Sequence, residues 1–191
     1  MGTAETGSAA RIEKAKQKVA DNPDSAMAHA KLGTVLLHTC SSKQAEAELR
    51  KAIELDPNCI PALINLGGLL LGRWDFEGCV EVNQRAVAVD PEIVEAHFNQ
   101  GLGHLYLSQA EQMVECFRRV VELDGTHPAG RYHLAVGLLA CGKEKEAREE
   151  LTIAMKLGYK PEPDFLKAFE KKQGGNPQVL DLEPKPSKQT H

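Results

Sequence analysis

The chain has 191 residues, 42% hydrophobic and 26% charged, with 23 basic against 27 acidic residues and a formal net charge of −4. That is enough chain for one well-buried soluble domain. The balance speaks against nucleic-acid binding, which needs a concentrated basic face. The longest apolar run, LAVGLLA at 134–140, is too short to span a bilayer, which takes roughly 18–20 residues.

Residues 1–25 open with MGTAETGSAARIEKAKQKV, which lacks the apolar core of a secretory signal. Gly2 and Thr6 match the short myristoylation pattern, one loose enough to arise by chance. A helix is predicted over about 8–21. It places Ala15 and Val19 one period before Leu49 and Ile53, as the second helix of a half-unit would.

From residue 26 the chain repeats. Gly33, Gly67 and Gly101 stand 34 residues apart, with Ala135 on the next step, and Pro23, Pro57 and Pro91 keep the same interval. Ala45, Cys79, Met113 and Ala147 form another such series, as do Ala52, Ala86, Val120 and Ala154. The spacing defines units over 26–59, 60–93, 94–127 and 128–161. Each reads as two amphipathic helices. In the first, Leu32, Leu36 and Leu37 share a face, TCSSK breaks it, and Ser42 is placed to cap a second helix. That helix stops at Asp56-Pro57, since proline restricts the residue before it. The second unit breaks at GRWD and stops at Asp90-Pro91. The third breaks near Ser108 and stops at Asp124-Gly125; the fourth breaks at Cys141-Gly142. A glycine inside a helix costs about 1 kcal/mol against alanine, so its regular return needs a packing reason: Gly33 facing Ala45, and Gly67 facing Cys79.

Beyond the units, residues 162–173 predict a short helix that covers the last unit with Phe165, Leu166 and Phe169. The segment 174–191, rich in Pro, Gly and charge, reads as a flexible tail.

Period, small-residue slots and Asp-Pro punctuation together resemble the tetratricopeptide repeat family, over about 26–159. The departures are His29, His97 and Arg131 where that family favours Trp, Asn83 in a slot otherwise held by Leu49, Phe117 and Leu151, and Gln100 in place of a leucine. The resemblance implies an all-α helical-hairpin solenoid of four repeats with N- and C-terminal capping helices. Solenoids need such caps because terminal units leave an apolar face uncovered.

It also implies that the first helix of each unit lines a concave face. Lys31, Asn65, Asn99 and His133 recur there at the same interval. Asparagine both donates and accepts, and so can pair a peptide backbone whatever its side chains; the alternative is a row of merely exposed polar positions. Ile64, Phe98, Leu102, Tyr106, Tyr132 and Val136 are the apolar groove candidates beside that ladder, with Leu71 and Leu139. Ala30, Thr34 and Glu95 leave the basic clamp for a C-terminal carboxylate incomplete.

Catalytic signatures are missing. GLGHLY at 101–106 lacks the third glycine of a dinucleotide loop and falls inside a helix. His97 and His104 share a face but occupy packing slots, and a metal needs three or four converging ligands, so no metal and no cofactor is expected. Cys40, Cys59, Cys79, Cys116 and Cys141 form no C-x-x-C pair and read as free thiols of a reducing cytoplasm. Trp74, in a turn, reads as packing over the neighbouring unit. The sequence thus points to a non-enzymatic module that binds a protein or peptide segment, as an adaptor or an assembly factor of a multi-subunit complex. The alternative is a structural subunit or self-associating scaffold using the convex face or the ends, and a homo-oligomer fits either.

Overall fold

A computed structural model describes residues 3–39 and 41–171. Gly2, Cys40 and the segment 174–191 lie outside these. Among the described residues all regular structure is helical: α1 Thr3–Asp21, α2 Ala26–Leu37, α3 Ser42–Leu55, α4 Ile60–Gly72, α5 Phe76–Val89, α6 Val94–Tyr106, α7 Ala110–Leu123, α8 Pro128–Ala140, α9 Glu144–Lys156 and α10 Pro163–Lys171. Helices α2 to α9 form four consecutive hairpins. Each first helix also packs on its own hairpin's partner and on the neighbouring hairpin, α2 against α4 and α4 against α6. That side-by-side row makes one face of the solenoid.

The breaks fall where the sequence places them, but two agents differ. Ser42 is already helical; Ser41 holds the cap position and makes no side-chain cap bond. More telling is what stops the second helices. Asp56, Asp90 and Asp124 all take an extended backbone, at φ −140°, −141° and −132°. Each Oδ1 then accepts the N–H two residues on, from Asn58 at 3.0 Å, Glu92 at 2.9 Å and Thr126 at 2.9 Å. Gly125 therefore substitutes for proline without changing the turn, because the aspartate closes it. The first helices end differently, with the residue after the break in the left-handed region: Trp74 at φ 65°, Ser108 at 58° and Gly142 at 74°.

The periodic glycines are notches for a side chain of the partner helix. A Cβ on Gly33 would sit 2.7 Å from Leu49 Cγ, and one on Gly101 2.9 Å from Phe117 Cε2. On Gly67 it would collide with the Asn83 amide. The notch is thus filled from the slot of Leu49, Asn83 and Phe117. Ala45 and Cys79, the expected partners, lie one turn earlier and are wholly buried.

The slot where Trp was expected anchors the loops between units. His29 Nε2 donates to Pro23 O at 2.9 Å, His97 Nε2 to Pro91 O at 2.9 Å and Arg131 Nε to Gly125 O at 2.9 Å. In the second hairpin, where Leu63 fills the slot, Arg85 Nη2 reaches Pro57 O at 3.3 Å. Three of these four loop carbonyls are thus held by the same side-chain position. At the ends, α1 starts at Thr3, earlier than expected, and lays Ile12, Ala15 and Val19 against Leu32, Leu36 and Ala45. Helix α10 brings Phe165, Leu166 and Phe169 to the core of the last two hairpins.

Candidate functional site

The row of first helices opens into a cavity of about 510 Å³ between α2, α4 and α6. Its walls carry Leu37, Ile64, Leu69 and Phe98, its polar groups are Asn65, Asn99, Arg73 and Glu95, and His127 closes one side. Gly68 and Gly72 line it as well. Unlike Gly67, they are not packing notches: a Cβ on Gly68 would meet only Asn99 Nδ2, at 4.0 Å, and one on Gly72 nothing within 4 Å. Missing side chains on α4 therefore make the space.

Two rungs of the expected ladder, Asn65 and Asn99, face this cavity together with Ile64 and Phe98. Asn65 Nδ2 donates to Thr34 Oγ1 at 2.9 Å, tying the first hairpin to the second. Thr34 in turn donates to Ala30 O at 2.8 Å. Within the described residues, Asn65 Oδ1 and the Asn99 amide have no protein hydrogen-bond partner. Arg73 reaches back to Glu46, which also binds Arg50 at 2.9 Å. Burial alone would raise the Glu46 carboxyl; the two guanidinium groups outweigh it and hold it below the ordinary range.

The other candidates lie elsewhere. Lys31 is exposed on α2, away from the cavity lining. Leu102 packs partly buried on the core of the last hairpins, and Val136, 4% exposed, is inside it, as is Leu139. Tyr132 stacks on Tyr159 with ring centres 4.3 Å apart and meets Phe165 edge-on at 5.2 Å, so the C-terminal helix covers it. Burial, with Tyr159 and Glu162 nearby, pushes its hydroxyl up to about 12. His133 stacks on Phe117 at 5.1 Å, and its Nδ1 is buried without a partner. Burial, with His127 adding to it, lowers that imidazole to about 4. Tyr106 stands at the hairpin-turn edge, stacked on Phe76 at 4.6 Å.

Sequence reasoning passed over Leu37, Gly68, Leu69, Gly72, Arg73 and His127. Gly68 and Gly72 lie off the period of Gly33, Gly67 and Gly101. That alone does not mark an open glycine, since Gly103 and Gly137 are also off it and a Cβ there would meet Val80 Cγ2 at 2.7 Å and Val114 Cγ2 at 2.8 Å. Among the described residues no group of three or more His, Cys, Asp or Glu side chains is arranged to hold a metal ion. No helix there is long and apolar enough to cross a membrane. His104 Nδ1 lies 2.6 Å from Gln109 Oε1.

Helical hairpins stacked at this interval, with small residues in the contact slots, define a tetratricopeptide repeat solenoid. A tetratricopeptide repeat family model matches residues 27–59, and the described residues have the tetratricopeptide repeat solenoid fold. The fold is shared with PilF of Pseudomonas aeruginosa, at 24% identity and TM-score 0.76, covering 89% of this chain and 80% of that one. It is shared with MamA of Desulfovibrio magneticus RS-1, at 21% identity and TM-score 0.69, covering 86% of each chain. YrrB, described as a tetratricopeptide repeat protein with an unusual peptide-binding site, aligns at 20% identity and TM-score 0.69, over 90% of this chain and 86% of its own. No curated protein sequence matches the chain.

Proposed function

We propose that the chain is a non-enzymatic protein-interaction module, an adaptor or assembly factor, that holds a peptide segment of a larger complex in the cavity of α2, α4 and α6. The observation that carries this reading is the pairing of the unengaged Asn65 Oδ1 and Asn99 amide with an apolar wall and a glycine floor. An extended or helical segment needs both: burial for its apolar side chains and two-way hydrogen bonding for its backbone. The peptide-binding site described for YrrB agrees with such a use of the fold. Cys59, Cys79, Cys116 and Cys141 are unpaired, which suits a reducing compartment such as the cytoplasm. Exposed Ile153, Met155 and Leu157 on and just after α9 favour the alternative, self-association through the last hairpin.

The test fills the floor. Gly68→Met places a side chain in the cavity without touching the core, and Asn65→Ala with Asn99→Ala removes the amides. The partner recovered with the wild-type chain is titrated against each. The double alanine variant should bind about tenfold more weakly, and the methionine variant at least as badly. The control is Lys51→Ala with Glu81→Ala on the second helices; Glu48 is unsuitable because it binds His29 Nδ1 at 2.6 Å. Equal affinity for wild type and Gly68→Met, with a loss in the control, moves binding to the convex face.

A further inference from the structure

The turn that ends α4 holds its shape against local preference. Trp74 N donates to Leu71 O at 3.2 Å and Asp75 N to Leu70 O at 3.0 Å, the paired bonds that close a helix through a left-handed residue. The next two hairpins place Ser108 and Gly142 there, and glycine is what such a position favours. A bulky tryptophan is poorly suited to it. Nor is the side chain buried in return, at 59% exposed. It meets Phe76 edge-on at 5.9 Å and Tyr106 at 6.3 Å, and Tyr106 is itself 40% exposed. The structure thus holds the chain's single tryptophan in solvent beside a second accessible ring. Packing against Phe76 and Tyr106 leaves the greater part of the tryptophan exposed.

Apart from Arg73, the charges next to these rings in sequence are acidic. Asp75 and Glu77 are exposed at the start of α5, and Glu111 is exposed at the equivalent place on α7. Glu111 adds to burial in raising the Cys141 thiol, so it faces the turn of the hairpin that follows. Glu77 holds the equivalent position one repeat earlier, before the hairpin whose turn follows Tyr106. In the outer hairpins this position is Lys43 and Lys145, so the acidic stretch is confined to the middle of the edge. The nearby cation, Arg73, is turned onto Glu46.

We propose that the edge formed by Trp74, Phe76 and Tyr106 docks a cationic segment of a partner protein, with an arginine guanidinium laid on the Trp74 indole and Asp75 and Glu77 flanking it. An arginine side chain suits this surface better than a lysine. Its planar, weakly hydrated head stacks on an open aromatic face while its N–H groups reach carboxylates at the rim. The proposal stands apart from the groove reading, since none of its residues lines the cavity.

The lone tryptophan is the reporter. The probe is a capped peptide of alternating glycine and arginine, compared with lysine and glutamate versions of the same length. The arginine peptide should quench the Trp74 emission and shield it from acrylamide, with an affinity that falls as salt rises. The lysine peptide should bind several-fold more weakly and the glutamate peptide not at all. Trp74→Gly supplies what Gly142 supplies in the fourth hairpin and so keeps the fold, checked by circular dichroism. By calorimetry it should bind the arginine peptide about two- to thirtyfold more weakly, the span of one cation–π contact. Glu77→Gln with Glu111→Gln should weaken binding and flatten its salt dependence. Gly68→Met should leave the affinity unchanged. The proposal falls if Trp74 emission is unmoved at millimolar peptide, or if Trp74→Gly binds as well as wild type. It falls equally if Gly68→Met abolishes binding, which assigns the peptide to the groove, or if the emission shifts with protein concentration alone, which assigns the edge to a second copy.

Discussion

Replacing Asn83 by leucine should stabilise the protein. Asn83 is fully buried on α5, in the slot that holds Leu49, Phe117 and Leu151 in the other hairpins. Its Nδ2 donates to Cys79 O at 2.8 Å, but its Oδ1 is buried with no partner. An unsatisfied buried carbonyl costs about 1–3 kcal/mol. Leucine has the same branching and number of heavy atoms, and removes that penalty while adding apolar contact. The lost bond to Cys79 O contributes about 0.5–1.5 kcal/mol, and no acceptor is orphaned, because that carbonyl lies within the helix and keeps its backbone donor. Gly67 limits the gain by its tight approach to this side chain. Gly33 already accommodates Leu49 in the same way, so the notch has the right form. The net expectation is about 1–2 kcal/mol, or a melting midpoint higher by about 2–8 °C for a chain of this size. Thermal unfolding followed by circular dichroism measures it. A midpoint at or below that of the wild type would show that the amide oxygen is satisfied, or that the notch at Gly67 is cut to asparagine alone.

The neighbouring glycines should separate cleanly. Gly67→Leu must displace Asn83 and should cost about 1–3 kcal/mol, whereas Gly68→Ala, open to the cavity, should leave the midpoint unchanged or raise it slightly; similar losses in both would refute the notch. His133 should make stability fall with acid. The unfolded ring takes up its proton below about 6.5 and the folded ring only near 4. Its contribution is complete above pH 6.5 and is lost as pH drops from there towards 4, by about 3 kcal/mol in all. His133→Phe keeps a ring on Phe117 and should flatten that part of the profile in urea titrations; identical profiles would place the loss on other groups.

The hairpins were legible because the chain writes the same slot several times. Gly33, Gly67 and Gly101 are each weak evidence alone, and at one interval they fix the register. Which partner fills the notch was not legible, since Ala45 and Leu49 lie on adjacent turns of one face and only the crossing of the helices chooses between them. In the groove, Ile64, Asn65, Phe98 and Asn99 were readable from their place on the first helices. Tyr132 occupies the slot of Phe98 yet is lost to the site, because α10 supplies Phe165 to cover it, a tertiary fact with no local trace. His133 shares the slot of the two asparagines and turns inward, since an imidazole can stack on Phe117 and an amide has less to gain there. Gly68 and Gly72 escaped notice because an empty position leaves no chemistry to recognise.

The polar clamps within the hairpins have an uneven distribution with a consequence for how the array comes apart. His29 lies 2.6 Å from Glu48, and Arg131 donates to Glu150 at 2.7 Å, joining the two helices of the first and the last hairpin. The same slots hold Leu63 with Val82, and His97 with Cys116, in the middle pair. In a one-dimensional stack the outermost hairpins have the fewest neighbours and are the natural place for opening to begin. Internal clamps at those two places oppose peeling from either end and leave the middle to rely on its neighbours. The array is thereby biased towards opening as one cooperative block, and amide exchange should slow at the terminal hairpins to rates close to those of the centre.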